Sequence, residues 1–556
     1  VSFLADITPW SNVPVGQHLF LFSPMIALVA TMLAIVACPL VFGRGARTIA
    51  GVAVMGMIVA FVLALRVAGA VSGGGVSGLS PQAAGGMLIA DNLSIFYQIV
   101  LLIFLAGVTY LWWLGSAEKE ENAPEFFILL LGSAVGMTLM ASTSNLLMIV
   151  VAIEAASLPS YAIVGFDKTD RKGAEASLKY MIFGAVSAAI MLYGVSLIYG
   201  LVGSLSVADV ARYTVDQMSA GPNRLLLGMG LLCLLAGVAF KISAVPFHFW
   251  CPDAFEGAKI EVTTWLSVAS KAAGLVLLAR LVLTFCAAVD VPLAMPVIEP
   301  LAWALGVMAA ITCTVGNFAA YKQRSIKRLL AYSSIAHAGY MMMATAVFLH
   351  PRTADAYSGL TALLMYIVIY LFMNLGAFGV ASIVSWDTGR DDLDAFSGLM
   401  RRAPFLAVPM IFCLMSLVGL PPLLGFWGKW WILLALGRMG GLLGWSLVII
   451  ASVNTFISLY FYLRVVVNMT LRDSGEPEVR SPLGGTALVG VCGAILLVMT
   501  FFPTPLWDAS SRFSKALYQP VTTVRSADAS AVDPPSTSAI LVAPAVVSAA
   551  SDEDRR

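Results

Sequence analysis

The chain has 556 residues, of which 60% are hydrophobic and only 11% charged, against roughly 25% charged in a soluble globular domain. With 32 basic and 31 acidic residues, a net charge of +1 and a mean hydropathy of +0.90, it cannot clothe a water-soluble body of this size and offers no bulk field to nucleic acid. These figures exclude a soluble enzyme, a disordered chain and a secreted disulfide scaffold. They leave an all-α polytopic membrane protein, because a β-barrel shows short alternating segments rather than long unbroken apolar runs.

A helix needs about 20 apolar residues to cross a hydrocarbon core of about 30 Å, and about fourteen such runs follow along the chain. They cover residues 18–42, 48–70, 92–115, 125–141, 144–166, 176–202, 224–247, 260–287, 297–320, 326–349, 356–385, 404–436, 441–469 and 483–503. The first residue is Val, and the segment before the first run lacks the basic stretch of a signal peptide, so no cleavable one is expected. The expected organisation is a short N-terminal segment 1–17, a transmembrane domain 18–503 and a tail 504–556. Within the tail, Pro520 to Arg556 is rich in Ala, Ser, Val, Pro and Asp, and its one apolar run, Ile540 to Ala550, is too short to span. A flexible tail is expected.

Loops after odd-numbered spans and their edges hold sixteen basic residues: Arg44, Arg47, Lys119, Lys168, Arg171, Lys172, Lys259, Lys322, Arg324, Lys327, Arg328, Arg390, Arg401, Arg402, Arg472 and Arg480. Loops after even-numbered spans hold only four: Arg212, Arg224, Arg352 and Arg438. The positive-inside rule then places the odd loops in the cytoplasm and both termini outside.

An ionisable residue deep in a span is costly and marks function by default. Glu154 lies in span five, Lys179 in span six, Lys241 in span seven, Lys271 in span eight and Lys429 in span twelve, with His337 in span ten. Lys179 is near a span end, where a long side chain can snorkel to the interface. A lone histidine can be a satisfied core residue. Arg66 and Arg280, near span ends, read as anchors. A static Glu–Lys staple is the structural alternative for the deep set.

Two spans are interrupted. Pro246 follows Lys241, and Gly419-Leu420-Pro421-Pro422 precedes Lys429. Proline removes a backbone donor and breaks each helix there, and non-helical backbone survives at that depth only under protein or water. Paired broken helices mark the ion pathway of two-repeat transporters. Spans four to eight and nine to thirteen form the expected halves; an odd number of spans per half predicts that they are inverted. Burial disfavours a charged lysine and a nearby carboxylate favours it, so a change at one partner switches the next. Such a chain, wetted by a few waters, passes protons. Sodium is less natural, since an ammonium has no acceptor with which to ligate it.

The cysteines Cys38, Cys233, Cys251, Cys286, Cys313, Cys413 and Cys492 form no C-x-x-C pair and read as small core residues. With no G-x-G-x-x-G after a strand and no P-loop, redox chemistry or ATP use is expected on another chain.

At these residues the sequence resembles the antiporter-like membrane subunits of respiratory complex I and the related multisubunit sodium/proton antiporters. The stretches that carry it are EAASLPSYAIVGF at Glu154–Phe166, EASLKYMIFGAVSAAIMLYG at Glu175–Gly194, FKISAVPFHFWCPDAFEGA at Phe240–Ala258, WLSVASKAAG at Trp265–Gly274, KRLLAYSSIAHAGYMM at Lys327–Met342 and GLPPLLGFWGKW at Gly419–Trp430. The LKY, VPFHFW and SIAHAGY forms are most similar to the subunit N branch of bacterial NADH–quinone oxidoreductase.

The resemblance implies proton translocation in a bacterial inner membrane, coupled to quinone reduction elsewhere in a complex. It implies Glu154 as the span-five carboxylate that partners a lysine, with Lys179 beside it as the nearer charge. Lys241 would be the central carrier, Lys271 and His337 the extension of a hydrated axis, and Lys429 the exit-side lysine. It implies no cofactor on this chain, with flavin, iron–sulfur clusters and the quinone pocket on partner subunits. The family's Pro-containing loop is replaced here by Gly257-Ala258-Lys259-Ile260-Glu261-Val262, which adds a charge pair before span eight. The alternatives are a subunit of a stand-alone cation/proton antiporter and a purely structural membrane spacer.

Overall fold

The computed structural model describes residues 15–72, 87–115, 122–289, 291–349, 356–472 and 478–518. Four helices come first: α1 (Val15–Leu21), α2 (Ser23–Phe42), α3 (Ala46–Ser72) and α4 (Asn92–Gly115). A first group follows as α5 (Ala123–Ala141), α6 (Leu146–Val164), α7 (Arg171–Val202), α8 (Val207–Ala220), α9 (Arg224–Ile242), α10 (Trp250–Gly257), α11 (Ile260–Trp265) and α12 (Lys271–Ala288). A second group comprises α13 (Val291–Ala320), α14 (Ile326–Phe348), α15 (Ala356–Thr388), α16 (Leu399–Arg402), α17 (Pro404–Val418), α18 (Leu424–Met439) and α19 (Gly441–Leu471). α20 (Leu483–Val498) and α21 (Thr504–Tyr518) end the described chain.

Every expected span has a helical counterpart. Among the described residues 11 helices are long and apolar enough to cross a membrane. The other expected spans are α14, whose first turns carry Lys327 and Arg328, the broken pair α17 and α18, and the shorter α20. Helices α11 and α12 are one span joined by a π-helical turn, Leu266–Ser270.

Four helices lie outside the expected spans: the short α10 and α16, and the longer α8 and α21. α8 is amphipathic and lies in the loop between the sixth and seventh spans. α21 occupies the start of the segment expected to be a flexible tail. It packs through Trp507 stacked on Trp431 at 4.0 Å, Phe513 edge-on to Phe96 at 5.2 Å and Ser514 bonded to Thr361 at 2.6 Å. One face of the helix, Trp507, Phe513 and Ser514, packs on α18, α4 and α15, and this pattern carries no continuous apolar run. Residues 1–14 of the expected segment 1–17, the remainder of the tail from 519, Lys119 and Arg352 lie outside the described residues, and residues 15–17 open α1.

The two groups are repeats, with matching contacts at matching positions. The N–H groups of Leu146 and Val207 bond to Leu205 O at 2.8 Å and Ser144 O at 3.0 Å. In the second group the N–H groups of Ile326 and Leu393 bond to Asp391 O at 2.9 Å and Arg324 O at 2.8 Å. Asn145 and Ser325, the residues bracketed by these bonds, both cap the following helix with their side chains. Gly136 on α5 abuts the Ala156 backbone, where a Cβ would meet nitrogen at 2.2 Å; Gly316 on α13 abuts Ala336, where it would meet nitrogen at 2.6 Å. One common offset relates Gly136 to Gly316, Asn145 to Ser325 and Ala156 to Ala336.

The helix breaks match as well. α9 ends in Ser243 at φ 66, whose N–H reaches Phe240 O at 3.0 Å. α17 ends in Gly419 at φ 84, whose N–H reaches Ser416 O at 3.0 Å. Two residues beyond each cap comes an X-Pro bond, Val245–Pro246 or Pro421–Pro422, both cis. The left-handed cap satisfies carbonyls of the last turn, and proline prevents the helix from resuming.

One buried ion pair fastens the first repeat to the helices before it. Arg280 on α12, 4% exposed, reaches Asp91 Oδ1 at 2.6 Å and Oδ2 at 2.9 Å, and donates to Ala141 O at 2.7 Å. Arg280 is therefore an anchor, as its place near a span end implied. Burial pushes the Asp91 carboxyl up, but the Arg280 guanidinium and the Ser94 hydrogen bonds outweigh this and hold it below its ordinary value. Removing one partner of a buried pair costs about 3–5 kcal/mol. Arg280→Ala is expected to lower the unfolding free energy by about that much, read as a lower Tm of the detergent-solubilised protein. The gap from wild type should persist at neutral pH and close as pH falls below the ordinary carboxyl value of 3.8.

Candidate functional site

The broken helix α9 carries Lys241 in its last turn, 0% exposed. Its Nζ donates to Ser157 Oγ on α6 at 3.0 Å, and Ser157 donates on to Ile153 O at 2.6 Å. Glu154 stands one turn before Ser157 on the same helix, half-buried and within electrostatic reach of Lys241. Among the described residues Glu154 makes no ion pair, so the static Glu–Lys staple, the structural alternative, is not formed, and Lys241 bonds the Ser157 hydroxyl instead.

Lys271 opens α12, directly after the π-helical turn, and is 0% exposed. Its Nζ donates to Cys251 Sγ on α10 at 3.2 Å and to Leu266 O at 3.4 Å. It lies 4.3 Å from the centre of the Phe255 ring and 5.1 Å from that of Trp250, where the ring faces attract a cation. The preceding residue, Ser270, bonds the Lys241 carbonyl at 3.4 Å, which ties the two lysine positions together through the break in α9. Cys251 Sγ stands 4.0 Å from Ser334 Oγ on α14 and bridges the repeats.

One turn along α14 is His337, whose Nδ1 lies 2.7 Å from the Tyr366 hydroxyl and whose Nε2 lies 3.3 Å from that of Tyr462. Tyr462 also bonds Ser333. Lys429 on α18 then donates to Val418 O at 2.9 Å, a last-turn carbonyl of α17. Its Nζ sits 4.3 Å above the Tyr340 ring. Polar groups thus follow one another from α6 to α18 through both breaks.

Five of the six expected residues gather along this file. Lys179 does not. It pairs with Glu175 at 2.6 Å and Asp253 at 3.2 Å, 43% exposed, in a cluster where Arg328 also holds Asp253 at 2.9 Å and Glu256 at 2.6 Å. Its expected position beside Glu154 is corrected by helix phase. Each residue turns an α-helix by about 100°, and it is Tyr180, the next residue, that faces inward and stacks on Trp250 at 4.1 Å. Sequence reading missed Ser157, Cys251, Ser334, Tyr366 and Tyr462. Hydroxyls and thiols are ordinary inside apolar helices, so these carry no signal; Cys251 was read as packing only.

Two inverted repeats, each with a proline-containing break, and a file of buried lysines define an antiporter-like membrane subunit. The family described as NADH:quinone oxidoreductase/Mrp antiporter, TM, matches residues 143–458, which include Glu154, Lys241, Lys271, His337 and Lys429. The NADH-quinone oxidoreductase subunit N of Anaeromyxobacter sp. is 36% identical over 514 residues, covering 88% of this chain and 96% of that protein. The corresponding subunit N 2 of Sorangium cellulosum is 39% identical over 429 residues, 75% of this chain and 83% of that one. A chain of respiratory complex I from Thermus thermophilus superposes with a TM-score of 0.70 at 31% identity, covering 88% of this chain and 99% of its own. A chain of the Mrp complex from Dietzia sp. shares the fold at 19% identity, with a TM-score of 0.74 over 90% of this chain and 98% of its own. The chain belongs to the NADH:quinone oxidoreductase/Mrp antiporter family and, within it, to the NADH-quinone oxidoreductase subunit N group.

Gly419 offers a local test of the Lys429 position. Its φ of 84 is left-handed, and a Cβ there would lie 2.9 Å from Lys429 Cδ. Gly419→Ala is expected to cost about 1–2 kcal/mol from the backbone alone and to displace Lys429 from Val418 O. A fall in Tm with a parallel loss of transport checks this, and Gly437→Ala, where a Cβ meets nothing within 4 Å, serves as the comparison.

Proposed function

We propose that this chain is a proton-translocating membrane subunit of a complex I-type NADH:quinone oxidoreductase. Protons move along Glu154, Lys241, Lys271, His337 and Lys429, coupled to quinone reduction in other subunits. On this reading flavin and iron–sulfur clusters belong to partner chains, the protein lies in the bacterial inner membrane, and the basic odd-numbered loops face the cytoplasm with both termini outside. Lys179 serves the cytoplasmic charge cluster instead of the file.

One observation carries the reading. Lys241, Lys271 and Lys429 are all buried, yet none has an ion-pair partner among the described residues; their acceptors are a hydroxyl, a thiol and carbonyls. A structural lysine at this depth requires a paired carboxylate to offset its desolvation. One held by neutral acceptors alone can exist with or without its proton, and a change of charge at a neighbour decides which. Ser243 Oγ and the Tyr180 hydroxyl are buried without a protein partner, and buried hydroxyls of this kind are normally satisfied by ordered water. Ser243 lies two residues after Lys241, and Tyr180 stacks on Trp250, a ring beside Lys271, which supports a wetted path. A sodium path is disfavoured because the file is built on ammonium groups, which cannot ligate a cation.

Lys241→Ala and Glu154→Ala are expected to lower proton pumping in inverted membrane vesicles by roughly tenfold or more, at an unchanged amount of assembled complex. Normal pumping by both variants would end the relay reading. Flavin and iron–sulfur absorbance copurifying with the chain separates an oxidoreductase subunit from a stand-alone antiporter, in which none is expected.

A further inference from the structure

A cavity of about 720 Å3 opens on the side of the odd-numbered loops, next to the turn where the charge pair Lys259 and Glu261 replaces the family's usual residues. The α6–α7 loop contributes Asp167, Lys168 and Asp170, α14 contributes Lys327, and the end of α15 contributes Trp386. Lys327 is engaged by Asp391 at 2.8 Å and by Ala258 O at 3.1 Å. Glu261 lines the same cavity but is only 2% exposed, at its inner limit. Its Oε1 accepts from Trp386 Nε1 at 3.2 Å.

What lies inward of Glu261 is polar. The span runs on through Thr263, Thr264, Ser267 and Ser270, all 0% exposed, to Lys271. Ten residues of helix rise about 15 Å. Ser267 bonds Thr264 O at 2.7 Å, and Ser270 and Lys271 are already contacts of the lysine file. One transmembrane segment therefore joins a charged, solvent-open cavity to a buried lysine, with a carboxylate at the outer end and hydroxyls between.

We propose that Glu261 is the proton-loading carboxylate of this subunit, taking protons from cavity water and delivering them inward to Lys271. This rests on the relay reading above. A hydronium ion gives its proton to the Glu261 carboxylate and leaves as water. The Glu261 O–H bond then breaks, and a proton passes along the hydroxyl-lined stretch to the free ε-amine of Lys271. That amine becomes an ammonium and the carboxylate is restored. Asp167 and Asp170 at the mouth draw cations toward the cavity, while Lys168, Lys259 and the Asp391-paired Lys327 set the field against which Glu261 titrates.

Proton uptake by the assembled complex in inverted vesicles tests this, because the bath is then the cytoplasmic side. Glu261→Gln keeps an acceptor for Trp386 and removes the charge together with the titratable proton. It is expected to slow uptake roughly tenfold and to make the rate fall more steeply as the bath becomes alkaline. Glu261→Asp is expected to restore most of the rate and the shallower pH profile. Rates are taken per assembled complex. If Lys271→Ala loses pumping while Glu261→Gln keeps the wild-type rate and profile, the loading role is overturned and the relay stands. A deficit of Glu261→Gln that Glu261→Asp leaves unchanged would assign the residue to shape alone and also overturn the proposal. If neither Lys271→Ala nor Glu261→Gln loses pumping, the relay reading falls and the loading role falls with it.

Discussion

An ammonium group inside a bilayer must find an acceptor, and an intact α-helix offers only poor ones, since its carbonyls are already bonded along the ladder and point along the axis. The architecture follows from that constraint. The break after α17 leaves the Val418 carbonyl to Lys429, and the π-helical turn presents the Leu266 carbonyl to Lys271. The break after α9 leaves the Lys241 carbonyl to Ser270 while the lysine side chain turns to Ser157. Prolines and glycines that would weaken an ordinary helix are placed where carbonyls must be released; Ser243 and Val418 at the two breaks are buried, while Pro246, Pro421 and Pro422 lie exposed on the surface of this chain.

The repeat gives this arrangement twice, and the differences between its halves are informative. His337 on α14 stands where Ser157 stands on α6, by the offset that relates Gly136 to Gly316 and Asn145 to Ser325. Lys241 precedes its break and meets a small hydroxyl; Lys429 follows its break and meets a carbonyl and the Tyr340 face. The halves therefore share backbone geometry and diverge in side-chain chemistry. Cys251, between Lys271 and Ser334, is the joint at which the two meet.

The fold was largely legible because membrane spans announce themselves by length and hydropathy, and the breaks because proline leaves a mark at Pro246 and Pro421–Pro422. The deep lysines were legible as charges in apolar runs. What escaped had no such contrast. The amphipathic α8 and α21 contain no long apolar run. Ser157, Tyr366 and Tyr462 look like any helix residue until a neighbouring helix brings His337 or Lys241 against them. Lys179 was misplaced because the sequence gives depth along a helix but not its rotation, and one residue of rotation puts Tyr180 inward and Lys179 among Glu175 and Asp253.

The claim on which the account stands is that a buried lysine changes its protonation during turnover. Infrared difference spectra of the assembled complex, recorded with lysine-specific isotope labelling before and during quinone reduction, read that change directly. The account predicts an ammonium band that is lost and regained with turnover and that disappears from the difference spectrum in Lys241→Met. A Lys241 ammonium that stays charged and spectroscopically silent while the complex pumps at its full rate would contradict it.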